Sequence, residues 1–412
     1  MLAANRRAKV REQEPGLGMN ETATGRWMRV SGGTALGLLL LVLSTAAPAA
    51  TLTVTTLSDS LAEGEGAPSG CTLRAAMANA QANFTANLQC PAVGAYGADV
   101  IVFAVSGTIL LNQGLPVVAD TAGLEIAGDV SQHVVIDGGG LFRPFTVTGG
   151  SLNLIRLTVQ NGSTPGDGGA VLVSSGTLAL LQATLTGNSA GGHGGAVRGD
   201  ADSTVVGYDV TFAGNSAAIS GGAVSAVGDQ LLLVNTTIVG NDAPAGAGAL
   251  EIGGNASPGL ANSILFGNTG EANCDQGFGD GAAENDIEDA DTCGFGASSL
   301  TDVADAGLDT GLKDNGGPTP TIALRAGSRA IDFGDDELCS IIDDGSDPLV
   351  VPGVDQRGEP RFVGVHCDAG AYEFSQSDSV PGEFPHVKGA GAVSPVMLLL
   401  LLAAAGARRR RS

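Results

Sequence analysis

Residues 177–197 read TLALLQATLTGNSAGGHGGAV, and the same pattern returns at residues 204–224 as TVVGYDVTFAGNSAAISGGAV. Four asparagines that each follow a glycine keep this step, at spacings of 27, 26 and 27 residues: Asn188, Asn215, Asn241 and Asn268. A second series keeps it too: Ala170, Ala196, Ala223 and Ala249. A constant period in the twenties, with apolar runs broken by Gly and Asn, is typical of a solenoid.

Each repeat contains short apolar runs that always return in the same direction, so successive coils must pair in parallel. Each coil then rises by one strand spacing, roughly 4.8 Å, and every position stacks on its equivalent in the coil below. Stacked asparagine side chains can hydrogen-bond along such a column. The sequence therefore predicts an all-β fold, a parallel β-helix of about eight coils wound by one chain.

The chain is acidic, with a formal net charge of −23, and it contains 64 glycines among 412 residues. Half of its 20 basic residues lie at the two ends of the chain, before residue 30 and at 408–411. Such a surface excludes nucleic acid as a partner, because phosphate contacts require basic side chains. Two interpretations stay open, solubility in water and the binding of divalent cations.

The amino-terminal end has the pattern of a secretory signal. An apolar run at 36–43 follows Arg26 and Arg29, and a stretch of small residues at 46–50 follows that run. We expect residues 1–49 to form an extended n-region and signal peptide that the export machinery reads, with cleavage between Ala49 and Ala50.

The carboxyl-terminal end combines a polar linker at 375–391 with a tail at 392–412 that is first apolar and then basic. The basic end consists of Arg408, Arg409, Arg410 and Arg411. This order predicts a tail that enters the membrane with its arginines on the cytoplasmic side. With Gly389 and Gly391 ahead of it, the tail resembles the GlyGly-CTERM class of bacterial sorting signals, which implies removal by a tail-processing protease. A permanent membrane anchor is the alternative.

Six cysteines lie outside the regular repeats, in three local pairs: Cys71 and Cys90, Cys274 and Cys293, Cys339 and Cys367. Sequential pairing is the economical choice among the fifteen connectivities, because the loops it closes are short. Disulfides form in oxidising compartments, which agrees with export. Metal binding is the rival interpretation.

Residues 50–96 predict a cap on the first coil. Leu73, Ala76, Met77 and Ala80 form an apolar helical stripe that is suited to covering the open end of a solenoid. The run Cys71-Thr72-Leu73-Arg74-Ala75-Ala76 resembles the CSLREA domain, which follows the signal peptide of many bacterial surface proteins.

Four motifs occur in one order within residues 273–374: DNGGPTPT at 314–321, SRAID at 328–332, DQRG at 355–358 and CDAGAYE at 367–373. Together they resemble the choice-of-anchor Q domain. The resemblance implies a secreted, right-handed parallel β-helix of the pectin-lyase-like kind, here at 97–272, whose biochemical role is unassigned.

Parallel β-helices include polysaccharide lyases and glycoside hydrolases, and such hydrolases need carboxylates clustered on one face. Asp202 and Asp229 each lie eight residues after a repeated glycine, so adjacent coils would place them side by side as a catalytic pair. The alternative is that both are solvent-facing turn residues. Arg198 would either bind a substrate carboxylate or balance Asp200.

Asp167, His193 and Ser220 form a second column, because each directly precedes a repeated Gly-Gly-Ala-Val. A hydrolytic triad would need the serine hydroxyl within reach of the histidine, and the histidine held by the aspartate. All three are also ordinary turn residues. Tyr208 and Phe212 are the nearby aromatic candidates for a sugar platform.

Acidic residues crowd two further segments and are candidate calcium ligands, because hard cations prefer carboxylate oxygens. The candidates are Asp286, Glu288, Asp289, Asp343 and Asp344. Neither segment has the regular spacing of an EF-hand, and solvated charge is the alternative. We expect no other cofactor.

The sequence therefore predicts an exported protein at the cell surface or outer membrane of a Gram-negative bacterium, released if its tail is processed. The function that fits this location best is a non-catalytic binding or adhesion module that contacts polysaccharide or another cell surface. A polysaccharide lyase or glycoside hydrolase is the alternative.

Overall fold

A computed structural model describes residues 49–60, 70–228, 230–254, 256–278, 282–340 and 353–375. The chain begins the solenoid with β1 (Thr51–Val54), continues through helix α1 (Leu73–Ala82) and returns with β2 (Ala92–Val93) to pair antiparallel with β1. β3 (Asp99–Phe103) then pairs with β1 in parallel. The first rung of the β-helix therefore includes residues of the predicted cap.

The first half of the solenoid continues with β4 (Gly107–Leu110), β5 (Leu124–Ala127), β6 (Val134–Asp137), β7 (Phe145–Ile155), β8 (Thr158–Gln160), β9 (Ser163–Thr164), β10 (Val171–Leu181), β11 (Thr184–Thr186), β12 (Ser189–Ala190), β13 (Val197–Gly199) and β14 (Ser203–Tyr208). The second half contains β15 (Thr211–Ala213), β16 (Ser216–Ala217), β17 (Val224–Ala226), β18 (Gln230–Val234), β19 (Thr237–Val239), β20 (Asp242–Ile252), β21 (Ser257–Ala261), β22 (Ile264–Phe266), β23 (Thr269–Cys274), β24 (Ala283–Glu284) and β25 (Ile287–Glu288). Helix α2 (Asp336–Ser340) follows.

Within the described residues the strands form two sheets that run along the solenoid. The small sheet is parallel and stacks eight strands: β4, β6, β8, β11, β15, β19, β22 and β25. The large sheet contains the other 17 strands and is parallel except at β1–β2. Eight stacked strands correspond to about seven full turns of chain. The predicted right-handed parallel β-helix is confirmed, and its stacking runs from 51 to 288, past the segment 97–272 at both ends.

The asparagine series forms the predicted hydrogen-bonded column. Asn188 Nδ2 donates to Asn215 Oδ1 at 2.9 Å, Asn215 Nδ2 to Asn241 Oδ1 at 2.9 Å, and Asn241 Nδ2 to Asn268 Oδ1 at 3.0 Å. In each of these pairs, the backbone amide of the asparagine that comes first in the sequence also donates to the Oδ1 of the second. Each asparagine side chain thus provides hydrogen-bond partners for backbone groups in the turns of neighbouring coils, which explains why the period is kept so strictly.

The alanine series lines the core beside turns where the backbones of neighbouring coils approach closely. Ala170, Ala196, Ala223 and Ala249 are all fully buried. Before Ala196, Gly194 has φ +68°, and a Cβ on Gly195 would collide with the carbonyl oxygen of Gly222 in the next coil. Glycine is required at both positions, because one needs a left-handed backbone and the other has no room for a side chain.

The expected cap and disulfides are present. All four residues of the apolar stripe on α1 are buried, and the helix packs against β1 and β3. Thr72 caps its first turn by accepting a hydrogen bond from the Ala75 amide at 3.0 Å. The cysteines pair sequentially, as Cys71–Cys90, Cys274–Cys293 and Cys339–Cys367.

Residues 303–340 and 353–374, which we call the cover, lie along the outer face of the small sheet. Their apolar side chains, among them Val303, Ile322, Leu324 and Tyr372, share a second core with Ile264 of the sheet. The sheet also presents a column of threonines in register at the start of four strands: Thr158, Thr184, Thr211 and Thr237. Hydroxyls of this column bond to the cover, so the fit is polar as well as apolar.

A column of left-handed turn residues beside the small sheet makes further contacts with the cover. Its members have φ between 50° and 56°: Arg156, Gln182, Asp209, Asn235, Asn262 and Asn285. Gln182 Nε2 donates to Asp355 O at 2.8 Å, and Asn262 Oδ1 accepts from the Asp335 amide at 2.7 Å. These polar turns therefore have a structural purpose, which is to attach the non-repeating part of the chain to the repeats.

Candidate functional site

Four motifs suggested family membership, and the structure gives several of their residues a structural role. Gln356, in DQRG, is fully buried and bridges Thr184 Oγ1 at 2.7 Å and Thr211 Oγ1 at 2.6 Å. Arg357 donates to Asp355 Oδ2 at 2.8 Å and lies 3.6 Å above the ring of Tyr372. Gln356 therefore holds the cover on the β-helix, whereas Arg357 links segments within the cover, and both side chains are largely withdrawn from solvent.

Two acidic side chains of the cover, Asp368 and Glu373, are buried, and burial makes their charged forms less stable. Burial, and then repulsion from Asp368, raises the pKa of Glu373 to about 8. Burial also raises the pKa of Asp368 to about 6. Both folded values lie above the ordinary range near 4, so the folded state binds more protons than the unfolded state between about pH 4 and about pH 8.

The free energy of unfolding is therefore expected to fall as the pH rises through this range, and the melting temperature should be several degrees higher at about pH 5 than at about pH 8. Thermal unfolding of the purified protein across this range measures the effect. Glu373→Gln, which mimics the protonated carboxyl, should flatten the dependence. A melting temperature that stays constant or rises with pH would contradict the expectation.

The large sheet carries a group of charged and polar side chains on successive rungs. Arg198, Ser225 and Glu251 occupy equivalent positions of β13, β17 and β20, so they stack on three successive rungs. Asp167, His193 and Asp200 lie beside them. We call these six residues the ladder cluster.

The ladder cluster is closed by hydrogen bonds among its own members. Arg198 Nε donates to Asp200 Oδ1 at 2.8 Å, and Arg198 Nη1 donates to Ser225 Oγ at 2.7 Å. Ser225 Oγ donates in turn to Glu251 Oε2 at 2.5 Å, and His193 Nδ1 lies 2.7 Å from the same oxygen. Arg198 thus balances Asp200, as one of the two interpretations stated.

The column of Asp167, His193 and Ser220 does not form a hydrolytic triad. Asp167 Oδ1 accepts from the backbone amide of His193 at 2.7 Å and not from its ring. Ser220 is buried, and its Oγ accepts from the Ala247 amide at 3.0 Å. The imidazole instead reaches two rungs along the solenoid to Glu251, which was not among the residues predicted for a site.

A signal for Glu251 was available in the sequence. It follows Ser225 by 26 residues, and Ser225 follows Arg198 by 27, so the period that aligns the asparagines aligns these three residues as well. The period shows which positions stack, but not which long side chain bends across a rung to another column.

The chemistry open to the ladder cluster is limited. A carboxylate that holds Nδ1 of a histidine is the arrangement used to orient a general base. Ser225, however, is fully buried and is held by Arg198 and Glu251, so it is not placed as a nucleophile for that base. Burial, with a further contribution from Glu251, raises the pKa of nearby Asp275, whose Oδ1 accepts from the Ile252 amide at 2.7 Å.

The predicted carboxylate pair is only partly described. Asp202 is exposed and has φ +64°, which is the geometry of a turn residue. Asp229 lies outside the described residues, so the pair stays a prediction. Of the two aromatic candidates, Phe212 is fully buried in the core and cannot form a sugar platform.

Three of the calcium candidates serve as hydrogen-bond acceptors for the last coil. Asp286 Oδ1 accepts from the Ser263 amide at 2.8 Å, Glu288 Oε1 from the Cys293 amide at 3.2 Å, and Asp289 Oδ2 from the Gly267 amide at 2.6 Å. Burial raises the pKa of Glu288 to about 7, which disfavours the charged form that calcium needs. Asp343 and Asp344 lie outside the described residues.

Glu288 also lies beside Cys274 and Cys293, with one ligand atom of each residue within 4.8 Å of the others. The two sulfur atoms form a disulfide, so neither is a thiolate. Zinc sites use deprotonated cysteines, and the residues present therefore do not fit a structural metal ion in this state.

A cleft of about 820 Å³ lies where the cover meets the loop before β6. Its polar lining includes His133, Asp309, Asp314, Asn315, Arg325 and Tyr372. Charged and amide groups of this kind suit a ligand with many hydroxyl groups.

Comparisons of the chain with protein-family models, curated proteins and solved structures find no match. The resemblance to CSLREA and choice-of-anchor Q domains stays a prediction. The signal segment before Ala49, the end of the linker and the tail at 392–412 lie outside the described residues. In the part of the chain that is described, neither helix is long and apolar enough to cross a bilayer.

Proposed function

We propose that this chain is an exported cell-surface protein whose β-helix acts as a non-catalytic binding or adhesion module. The observation that carries the proposal is the mutual pairing within the ladder cluster: Arg198, Ser225, Glu251 and His193 bond to one another. Side chains that satisfy each other in this way stabilise a surface, and Ser225, buried between Arg198 and Glu251, is not placed to attack a substrate.

Three disulfides support the exported location. Each joins two cysteines that are 19 to 28 residues apart in sequence, and bonds of this kind persist in oxidising compartments. A membrane-held or processed tail at 392–412 would keep the rod at the envelope. Among the described residues, the cover then occupies the small sheet and borders the cleft.

The cleft is the site at which we propose that a glycan binds. Its lining offers hydrogen-bond donors and acceptors, and it includes both acidic and basic side chains. The net charge of −23 repels polyanions, so a neutral polysaccharide is favoured over a uronic-acid polymer.

A polysaccharide lyase or glycoside hydrolase is the second candidate, and one observation favours it. His193 Nδ1 is held by Glu251 at 2.7 Å, while 28% of the histidine side chain is exposed. An oriented and accessible imidazole is a suitable general base.

Screening the purified full chain against neutral and uronic-acid polysaccharides separates the candidates. We expect calorimetry to show binding to neutral glycans, and we expect no new reducing or unsaturated ends. His133→Ala should weaken binding by about five- to tenfold, the value of one lost hydrogen bond. His366→Ala removes an exposed histidine outside the cleft and is the control. Product formation that His193→Ala abolishes would establish the enzyme instead.

A further inference from the structure

Asp99, the first residue of β3, is a buried carboxylate with an incomplete set of partners. Only 1% of the residue is exposed. Its Oδ1 accepts from the Gly97 amide at 2.9 Å and from the Ala50 amide at 3.3 Å, whereas Oδ2 is buried without a hydrogen-bond partner among the described residues. An unpartnered buried carboxylate oxygen is costly, so its persistence in the fold requires a reason.

Ala50 is the residue that faces this carboxylate. It is fully buried, its carbonyl accepts from the Val100 amide at 2.9 Å, and Thr51 pairs in register with Val100. Ala49, one residue earlier, is exposed. The chain therefore passes from solvent to core between Ala49 and Ala50, which is also the bond at which the small-residue pattern predicts signal cleavage.

We propose that cleavage of the Ala49–Ala50 bond creates an α-ammonium group on Ala50 that forms a buried ion pair with Asp99 and thereby locks the first rung of the β-helix. The inference rests on the proposed export of the chain. In the hydrolysis, an export peptidase adds water across the peptide bond: Ala49 keeps the new carboxylate and Ala50 keeps the amine.

The geometry suits an ammonium group better than the peptide that precedes it. A peptide nitrogen has one hydrogen to donate, and here it donates to Oδ1 at 3.3 Å. An ammonium group at the same place has three hydrogens and a positive charge, so it can bond to both carboxylate oxygens. Opposite charges at this distance also favour the ionised form of each group.

The ion pair would link export to stability. Because β1 pairs with both β2 and β3, fixing Ala50 holds the edge of the large sheet on which α1 packs. An uncleaved chain lacks the charge that Asp99 needs, so its first rung should open more readily than that of the mature protein. Maturation would then complete the amino-terminal cap of the solenoid.

The test uses the full chain with residues 44–49 replaced by the six-residue recognition sequence of a site-specific protease that leaves Ala50 as the first residue. We expect cleavage to raise the melting temperature by about 3 °C. A second version, in which the recognition sequence is shifted by one residue so that cleavage leaves Ala49 first, is the matched control. Cleavage of this control should not raise the melting temperature.

Two further measurements isolate the charge. Asp99→Asn should abolish the rise, and selective acetylation of the Ala50 amine should abolish it with Asp99 intact, which covers the case of a variant that folds poorly. Equal melting temperatures for chains beginning at Ala49 and Ala50, or a rise that survives acetylation, would overturn the ion pair. Sequencing the amino terminus of the exported protein tests the premise separately, and a first residue other than Ala50 would overturn the assigned cleavage.

Discussion

Arg361→Met should lower the free energy of unfolding by about 4 kcal/mol, because it leaves a buried carboxylate without its cation. Arg361 is fully buried in the cover and donates to Asp209 Oδ1 at 2.5 Å, across the interface with the β-helix. It also donates to the carbonyls of Asp368 at 3.3 Å and Gly370 at 2.9 Å. Methionine keeps much of the volume but makes none of these bonds.

Urea denaturation of the purified variants measures the loss, and the chain offers a matched control. Arg325 pairs with Asp305 at 2.8 Å, but their side chains are 53% and 66% exposed. Arg325→Met should therefore cost less than about 1 kcal/mol. If Arg361→Met cost no more than this control, the proposed role of the buried pair in holding the cover would be wrong.

A second substitution should rescue the first. Asp209 is one of the left-handed turn residues, and the next two coils carry asparagine at the equivalent position, Asn235 and Asn262. Asp209→Asn removes the uncompensated charge and keeps a side chain that tolerates this backbone. Combined with Arg361→Met it should recover roughly half of the lost stability, and an unchanged loss would show that the charge is not its cause.

The repeats were predictable from sequence because their contacts recur at a fixed separation. Asn188, Asn215 and Asn241 stack because each residue meets its own equivalent one coil away, and a period of 26 or 27 residues reveals that directly. The disulfides followed for a related reason, since each pair is local in sequence. The stripe on α1 followed from helical periodicity.

The cover was not predictable in the same way. Gln182 meets Asp355 and Thr184 meets Gln356 across separations of 173 and 172 residues, and no period connects a repeating segment to a non-repeating one. The motifs in the cover therefore looked like functional signatures, although Gln356 and Arg357 turn out to satisfy buried polar groups. Only three-dimensional placement distinguishes a residue that binds a ligand from one that binds its own fold.

The same limit applies to the ladder cluster. Parallel stacking correctly brought Asp167 and His193 to neighbouring rungs, but the Asp167 carboxylate bonds to the His193 backbone. A rung spacing of roughly 4.8 Å is short enough for a histidine ring to pass its nearest neighbour and reach Glu251. The repeat period therefore predicts which positions stack on one another, but it does not predict which side chains bond to one another.

The asparagine column itself provides the second large effect. Asn215→Ala should lower the free energy of unfolding by about 4 kcal/mol, because four buried groups lose a partner. The Leu185 carbonyl and Asn241 Oδ1 lose the donor Nδ2 of Asn215, while the amide and Nδ2 of Asn188 lose the acceptor Oδ1. Alanine fits the backbone, so the loss measures hydrogen bonding and not strain.

Asn268→Ala is the matched control at the end of the column. Asn268 accepts from Asn241 in the same way, but it is half-buried, so water can replace the missing oxygen. We expect a cost of about 2 kcal/mol for this variant, measured by urea denaturation under identical conditions. Equal losses at Asn215 and Asn268 would contradict the idea that burial gives the column its strength. A larger loss at the centre would show that solvent exclusion, together with the repeat, determines how firmly neighbouring coils are joined.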